Sequence, residues 1–277
     1  MRKYLITLDV NGTLLDTKYR STSPTINSLI DQLEDEGHTF LLNSNRSQED
    51  LMHVAKIFSL RGPMIAENGC FIYNQETGAV NDLVSLETKE QLQKVQHLIH
   101  CIIEKHYPDA LFFEGDTTDI NKHIDVQEIP QDKKYVFIMN EFRRFTISIH
   151  VKRIEDNKFV ADLDKAKEFH EHVKKEIFEN NLKFKSEYTK PFANLLVCPT
   201  EYNKVAAFRE LARQYPKHIK VVITDDAMDN PMRSEIDYLF VVGNASIEAK
   251  EVADFIAREE ITKGVEEILL KIDGLVK

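Results

Sequence analysis

YLITLDVNGTLLD, from Tyr4 to Asp16, decides how the rest of the chain is read. Tyr4-Leu5-Ile6-Thr7-Leu8 is an apolar run of the kind that fills a parallel strand covered on both faces. Asp9 follows at its carboxyl end, then Val10, Asn11, Gly12 and Thr13. In open α/β sheets the chemistry sits just beyond the carboxyl ends of the strands. A carboxylate there, ahead of a glycine turn, is a nucleophile, a metal ligand or a strand-ending turn residue. The apolar run before it and the threonine after the glycine favour the first two. Asn11 stands where a second carboxylate would make chemical sense.

Outward from this stretch the chain repeats one grammar. Ser23-Pro24 predicts a helix start, with Ser23 as cap and Gly37 as stop. Thr39–Leu42 predicts a strand ending at Asn43-Ser44-Asn45-Arg46. Ser47 caps the next helix, with Asp50 as its capping-box partner. Pro63–Ala66 predicts a third strand, and Phe71–Tyr73 a hairpin around Asn74 to Gly78. This β-α-β-α-β order predicts a doubly wound parallel sheet. The grammar then changes. Leu86–His106 reads as a helix, Arg144–Val151 alternates as an antiparallel strand with one face buried, Phe159–Asn180 reads as a long charged helix and Leu182–Tyr188 as a strand. We expect an α+β domain at residues 83–190, inserted into a core of 1–82 and 191–277, with hinges near Asn81–Ser85 and Lys190–Phe192. The first grammar returns with the apolar Asn194–Cys198, a helix from Lys204, strands Ile219–Ile223 and Tyr238–Val242, and a helix from about Ile261.

Composition sets the outer limits. The 277 residues are 42% hydrophobic, enough for a core plus an inserted domain. The net charge of −10 argues against a nucleic-acid partner. Cys70, Cys101 and Cys198 are sparse, far apart and odd in number, which fits a reducing cytoplasm. MRKYLITLDV does not read as a signal peptide, because Asp9 interrupts a short apolar run. No stretch approaches the roughly 18 apolar residues of a membrane span. No nucleic-acid and no membrane partner is expected, and the protein is expected as a monomer or homodimer.

Asp9, Ser44, Lys204 and the pair Asp225 and Asp229 fall at predicted strand ends or helix starts. Converging carboxylates must be protonated or neutralised by a cation. Oxygen ligands of this kind suit Mg²⁺, often shared with a substrate phosphate. A carboxylate can attack phosphorus when a cation and a lysine offset the anion–anion repulsion. A hydroxyl and N–H groups at a helix start can hold phosphoryl oxygens. Taken one at a time, Ser44 reads as a cap or turn hydroxyl, Lys204 as a solvated lysine, Arg46 as a surface cation, and the Asp225, Asp226, Asp229 cluster as an acidic loop. Their shared placement and order support phosphoryl transfer through an aspartyl-phosphate.

Asp9-Val10-Asn11-Gly12-Thr13-Leu14-Leu15, Ser44-Asn45-Arg46, Asn68-Gly69, Lys204 and Thr224-Asp225-Asp226-Ala227-Met228-Asp229 together resemble the motifs of a haloacid dehalogenase superfamily phosphatase. The branch resembled is the Cof-type sugar-phosphatase group, with a large α/β cap inserted into a Rossmann-like core. The resemblance implies Asp9 as nucleophile and Mg²⁺ ligand. The backbone carbonyl of Asn11 and the carboxylate of Asp225 would complete the protein's share of the metal shell, and Asp229 would help hold it. Ser44 and Lys204 would bind the transferring phosphoryl group, with Gly12, Asn45 and Arg46 at the phosphate site. The cap would close over the site, choose the leaving group and exclude water.

Ser44-Asn45-Arg46 stands where the family usually has Thr-Gly-Arg, and three further positions depart from the family pattern in motifs one and four. Asn11 replaces the aspartate that would protonate the leaving oxygen and then activate water, a loss worth about 10²–10⁴ in rate. Thr224 replaces a glycine, and Met228 an asparagine. The first expectation is therefore a slow or impaired Mg²⁺-dependent phosphatase, with a small, sugar-phosphate-like phosphorylated metabolite as its partner. The alternative is a non-catalytic phospho-ligand binder or regulator on the same fold. A phosphomutase ranks third, because it also needs the acid/base group that Asn11 lacks.

Overall fold

The computed structural model describes residues 2–116, 125–189 and 193–276. In chain order the elements are β1 (Tyr4–Leu8), α1 (Ile26–Asp35), β2 (Thr39–Asn43), α2 (Gln48–Phe58), β3 (Met64–Ala66), β4 (Phe71–Tyr73), β5 (Val80–Asp82), α3 (Leu86–His106), β6 (Ala110–Gly115), β7 (Tyr135–Asn140), β8 (Ile147–Glu155), β9 (Lys158–Ala161), α4 (Leu163–Glu179), β10 (Phe184–Thr189), β11 (Asn194–Pro199), α5 (Lys204–Ala212), β12 (Ile219–Thr224), β13 (Tyr238–Val241), α6 (Ile247–Val252), β14 (Phe255–Ile256) and α7 (Ile261–Val276). The chain divides into two compact units, residues 1–83 with 202–277, and Val84–Glu201.

The first unit holds an eight-stranded sheet in the order β14-β13-β12-β1-β2-β3-β4-β5. Pairing is parallel from β14 to β3 and antiparallel through the β3-β4-β5 hairpins. This is the doubly wound α/β architecture expected. Every residue of β1 is buried. The strand sits between β2 and β12, where each large apolar side chain stabilises by roughly 1.5–3 kcal/mol. Leu5, Leu41, Ile65, Val222 and Leu239 form one core face with Phe208 and Leu211 of α5.

The second unit is an antiparallel-rich sheet in the order β10-β11-β8-β7-β6, with β9 paired to β8 and β6 parallel to β7. Its core joins Val95 and Ile99 of α3 and Phe169 and Val173 of α4 to Phe137, Ile149, Leu195 and Val197 of the sheet. Among the described residues no helix is long and apolar enough to cross a membrane. Cys70 and Cys198 are buried and Cys101 is exposed.

Four expectations need correction. Asn194–Pro199 is not a returning core strand: β11 pairs with β10 and β8, so the boundary lies after Glu201 rather than at 190/191. The expected hinge at 190–192 lies outside the described residues. Ser23 does not cap α1. The helix starts at Ile26 after Thr25, and the hydroxyls of Ser23 and Thr25 both donate to Glu266 of α7, a tertiary partner that outcompetes the local cap. The start of the expected Phe159 helix is β9, and α4 begins at Leu163, capped by Asp162. Finally, the polar face ahead of and within β8 is not solvated. Thr146 and Ser148 are buried, and Ser148 donates to Asn194 Oδ1 of the neighbouring strand at 2.9 Å.

A carboxylate and lysine cluster beyond the strand ends

Three strand ends and one helix start bring the site together. Asp9 follows β1, and its N–H donates to Ile223 O of β12 at 3.1 Å. Asp225 follows β12, Ser44 follows β2, and Lys204 is the first residue of α5. Asn203 caps α5, its Oδ1 accepting from Ala206 N at 2.9 Å. Local sequence and sheet topology thus converge on the place where open α/β sheets carry chemistry.

Lys204 is the hub. Its Nζ donates to Asp9 Oδ1 at 2.6 Å and to Asp229 at 3.0 Å (Oδ1) and 3.3 Å (Oδ2). Asp229 is buried, and its Oδ2 also accepts from Thr224 Oγ1 at 2.8 Å. Burial works against the Lys204 charge, but Asp9 and Asp229 more than offset it and hold its pKa above the ordinary lysine value. Burial raises the Asp9 pKa. Lys204 opposes the shift, and the neighbouring Asp229 carboxylate adds to it. The cluster therefore holds a charged lysine between two carboxylates, a low-dielectric arrangement in which each charge needs its partner.

Asp225 lies beside this group. Its Oδ1 accepts from Thr13 Oγ1 at 2.8 Å. Gly12 has φ +76°, and a Cβ there would stand 2.1 Å from Asp225 Oδ2, so the loop after Asp9 closes on Asp225 only as glycine. Asn244 ties the loop down from the other side, donating to Gly12 O at 2.8 Å and accepting from Ile261 N at 2.8 Å. Asp225 is pushed up to about 6, first by burial and then by the nearby Asp9 charge, with the Thr13 hydroxyl opposing.

The other sequence candidates divide. Asn11 Oδ1 accepts from Arg46 Nη2 at 2.6 Å and Nε at 3.2 Å, and the guanidinium lies 4.8 Å over the Tyr19 ring. Ser44 is buried, and its hydroxyl accepts from Arg46 N at 3.4 Å rather than bonding Asp9 or Lys204. Asn45 lies in the same loop after β2, between Ser44 and Arg46. Sequence reasoning passed over Thr13, Asn244 and Thr224 as site residues. The signal for the first was available, since a hydroxyl directly after the turn glycine is the group that meets Asp225.

Among the described residues no three carboxylate, thiol or imidazole side chains form a ready metal cluster. The donor set nonetheless fits Mg²⁺ once the main chain is counted. Asp9 Oδ2, Asp225 Oδ2 and the Asn11 carbonyl oxygen receive no hydrogen bond from the described residues, and all three are hard oxygens.

The raised Asp225 pKa carries a stability consequence. An unfolded aspartate titrates near 3.9, so the folded state binds the extra proton between about pH 4 and 6. Its stabilising contribution is present below about 4 and lost as pH rises through 6. Asp225→Asn is expected to raise stability at pH 8 by about 2 kcal/mol, to change little at pH 4, and to abolish stabilisation by added Mg²⁺. Urea denaturation at both pH values, with and without Mg²⁺, checks this. Equal stability of the two proteins at pH 8 would contradict it.

A family model of haloacid dehalogenase-like hydrolases matches residues 6–269. No curated protein matches the chain. A protein from Thermotoga maritima shares the fold at TM-score 0.69 and 18% identity, over 98% of this chain and 97% of that one. A haloacid dehalogenase-like hydrolase from Bacteroides thetaiotaomicron does so at TM-score 0.67 and 18% identity, over 98% and 100%. A HAD/COF-like hydrolase from Plasmodium vivax gives 0.64 and 20%, over 99% and 96%. At these identities the likeness is one of fold.

Proposed function

The chain belongs to the haloacid dehalogenase-like hydrolases, in their Cof-type branch, and on that premise we propose that it is a slow Mg²⁺-dependent phosphatase of small phosphorylated metabolites such as sugar phosphates. The observation that carries this reading is Lys204 Nζ, seated between Asp9 and Asp229 at the carboxyl end of the central strand. A carboxylate beside a fixed ammonium can approach a phosphoryl group that would otherwise repel it. Asp9 forms a bond to phosphorus as the bond to the leaving oxygen breaks, and water then hydrolyses the aspartyl-phosphate. Lys204 offsets the charge of the phosphoryl oxygens, with Ser44, Asn45, Arg46 and the Gly12 loop bordering them. Asp9, Asp225 and the Asn11 carbonyl would hold Mg²⁺, supported by Asp229, and the bound ion would supply positive charge against the carboxylates and phosphate. The sparse, odd-numbered set of cysteines supports a cytoplasmic setting.

Slowness follows from Asn11, an amide that can neither give the leaving oxygen a proton nor take one from water. The test is phosphate release from p-nitrophenyl phosphate and sugar phosphates with Mg²⁺, for the natural chain beside Asn11→Asp. Arg46 stands against Oδ1 of residue 11 and would hold an aspartate there ionised, so the expected gain is about 10²-fold, the low end for a general acid/base. An Asn11→Asp protein that still binds phosphate yet gains nothing would defeat the general-acid argument.

The same Arg46 contact favours a second reading, a phospho-ligand binder that does not turn over. It occupies the amide oxygen and leaves the NH₂, a donor that can hold an anion but cannot relay a proton. That reading expects Mg²⁺-dependent thermal stabilisation by a phospho-metabolite with no phosphate released.

A further inference from the structure

Thr224 is one of the two motif-four departures from the family pattern, and unlike Met228 it points inward. Met228 is 57% exposed, whereas Thr224, the last residue of β12, is fully buried. Both capacities of its hydroxyl are used. Oγ1 donates to Asp229 Oδ2 at 2.8 Å and accepts from Asp226 N at 3.2 Å. A carboxylate only accepts, so the single hydroxyl proton must lie toward Asp229. The branched side chain restricts χ1, which fixes the oxygen between those two partners.

From Thr224 one continuous path of hydrogen bonds runs through Asp229 to Lys204 and on to Asp9. Asp229 has two claims on its oxygens. Lys204 lies at 3.0 Å from Oδ1 and 3.3 Å from Oδ2, and Thr224 bonds Oδ2. The hydroxyl turns the carboxylate so that Oδ1 is the nearer acceptor for the ammonium. Without it Asp229 is free to rotate and to bring both oxygens equally close to Lys204, drawing the ammonium away from the nucleophile.

We propose that Thr224 is a positioning residue: through Asp229 it sets where the Lys204 ammonium stands, and so how well the site captures a phosphoryl group. The proposal rests on the phosphatase reading for its use of phosphate, and on geometry alone for the placement of Lys204. It gives the glycine-to-threonine departure a constructive role.

The test uses the full chain with Thr224→Val, which keeps the shape and removes the hydroxyl, Thr224→Ser, which restores it, and Asp229→Asn. Thr224→Ala substitutes if the valine protein does not fold. Inorganic phosphate binding with Mg²⁺ is measured by calorimetry. Thr224→Val is expected to weaken it about tenfold, with Thr224→Ser within about twofold of the natural chain, and the valine effect is expected to vanish in the Asp229→Asn background. Where hydrolysis is measurable, the change appears as a higher KM with kcat less affected. A merely structural role would lower the melting temperature of Thr224→Val and leave phosphate affinity untouched. Unchanged affinity, or effects that add with Asp229→Asn, overturns the proposal. If the natural chain binds no phosphate, the phosphatase reading fails. The side-chain ¹⁵N resonance of Lys204 in the ligand-free protein then decides the placement claim: a shift in Thr224→Val reversed in Thr224→Ser upholds it, and an unmoved resonance overturns it.

Discussion

Lys204→Met is expected to lose phosphate capture and to fold less stably, with the deficit growing as pH rises. The ammonium neutralises Asp9 and Asp229 at 2.6 and 3.0 Å. A methionine of similar length leaves two carboxylates facing each other with Asp225 close by. Removing one partner of a buried ion pair costs about 3–5 kcal/mol, and the lower end applies because the site opens partly to solvent. The sign with pH follows from protonation. Stripped of the ammonium that opposes its upward shift, Asp9 titrates further above its unfolded value, so the folded protein takes up a proton and recovers stability on acidification. Urea denaturation at pH 5 and pH 8 should show the larger loss at pH 8, with added Mg²⁺ restoring part of it. Phosphate release should fall by about 10²–10³, the usual cost of removing one charge-stabilising group. A deficit independent of pH would mean that the lysine packs rather than neutralises.

Gly69→Ala is expected to do comparable damage from outside the site. Gly69 has φ +91°, and a Cβ there would stand 2.2 Å from Asn203 O and 3.0 Å from Lys204 N. Those atoms are main chain and cannot swing aside. Accommodation must move the start of α5, and Lys204 with it. The left-handed backbone alone costs an alanine about 1–2 kcal/mol, and the clash adds to it, for a total of about 3 kcal/mol. A displacement of about 1 Å at Lys204 costs on the order of 10²-fold in capture or turnover. Gly78 provides the control. It has φ +69° with nothing within 4 Å of its Cβ position, so Gly78→Ala should show the backbone term without the functional loss. Thermal melts and phosphate binding on the two variants separate the effects.

The core was legible because its strands are short apolar runs that each end on a polar group. Asp9 and Asp225 could be placed by counting to those ends, and Lys204 by the helix start it opens. The second unit was less legible for a physical reason. Leu195 to Pro199 of β11 are all buried, so a central antiparallel strand shows no alternation and reads like a parallel core strand. Ser23 misled because a good local cap met a better distant acceptor in Glu266. Thr224 misled in the opposite way. As a departure from a motif it looked like lost function, and only its contact with Asp229 shows that the hydroxyl is engaged.

The pairing of β1 has a consequence for biosynthesis. Its neighbour β12 lies more than two hundred residues downstream, and Thr13, just past Asp9, finds Asp225 at a separation of 212. The loop behind it closes later still, when Thr262 Oγ1 donates to Leu14 O, 248 residues on. At about 5–20 residues per second, a ribosome leaves the central strand without one neighbour for roughly 10–40 s. The second unit, Val84–Glu201, is contiguous and can close in that interval. The first strand to be made is thus among the last to be finished, and until then its five buried residues are exposed to chaperones and to aggregation.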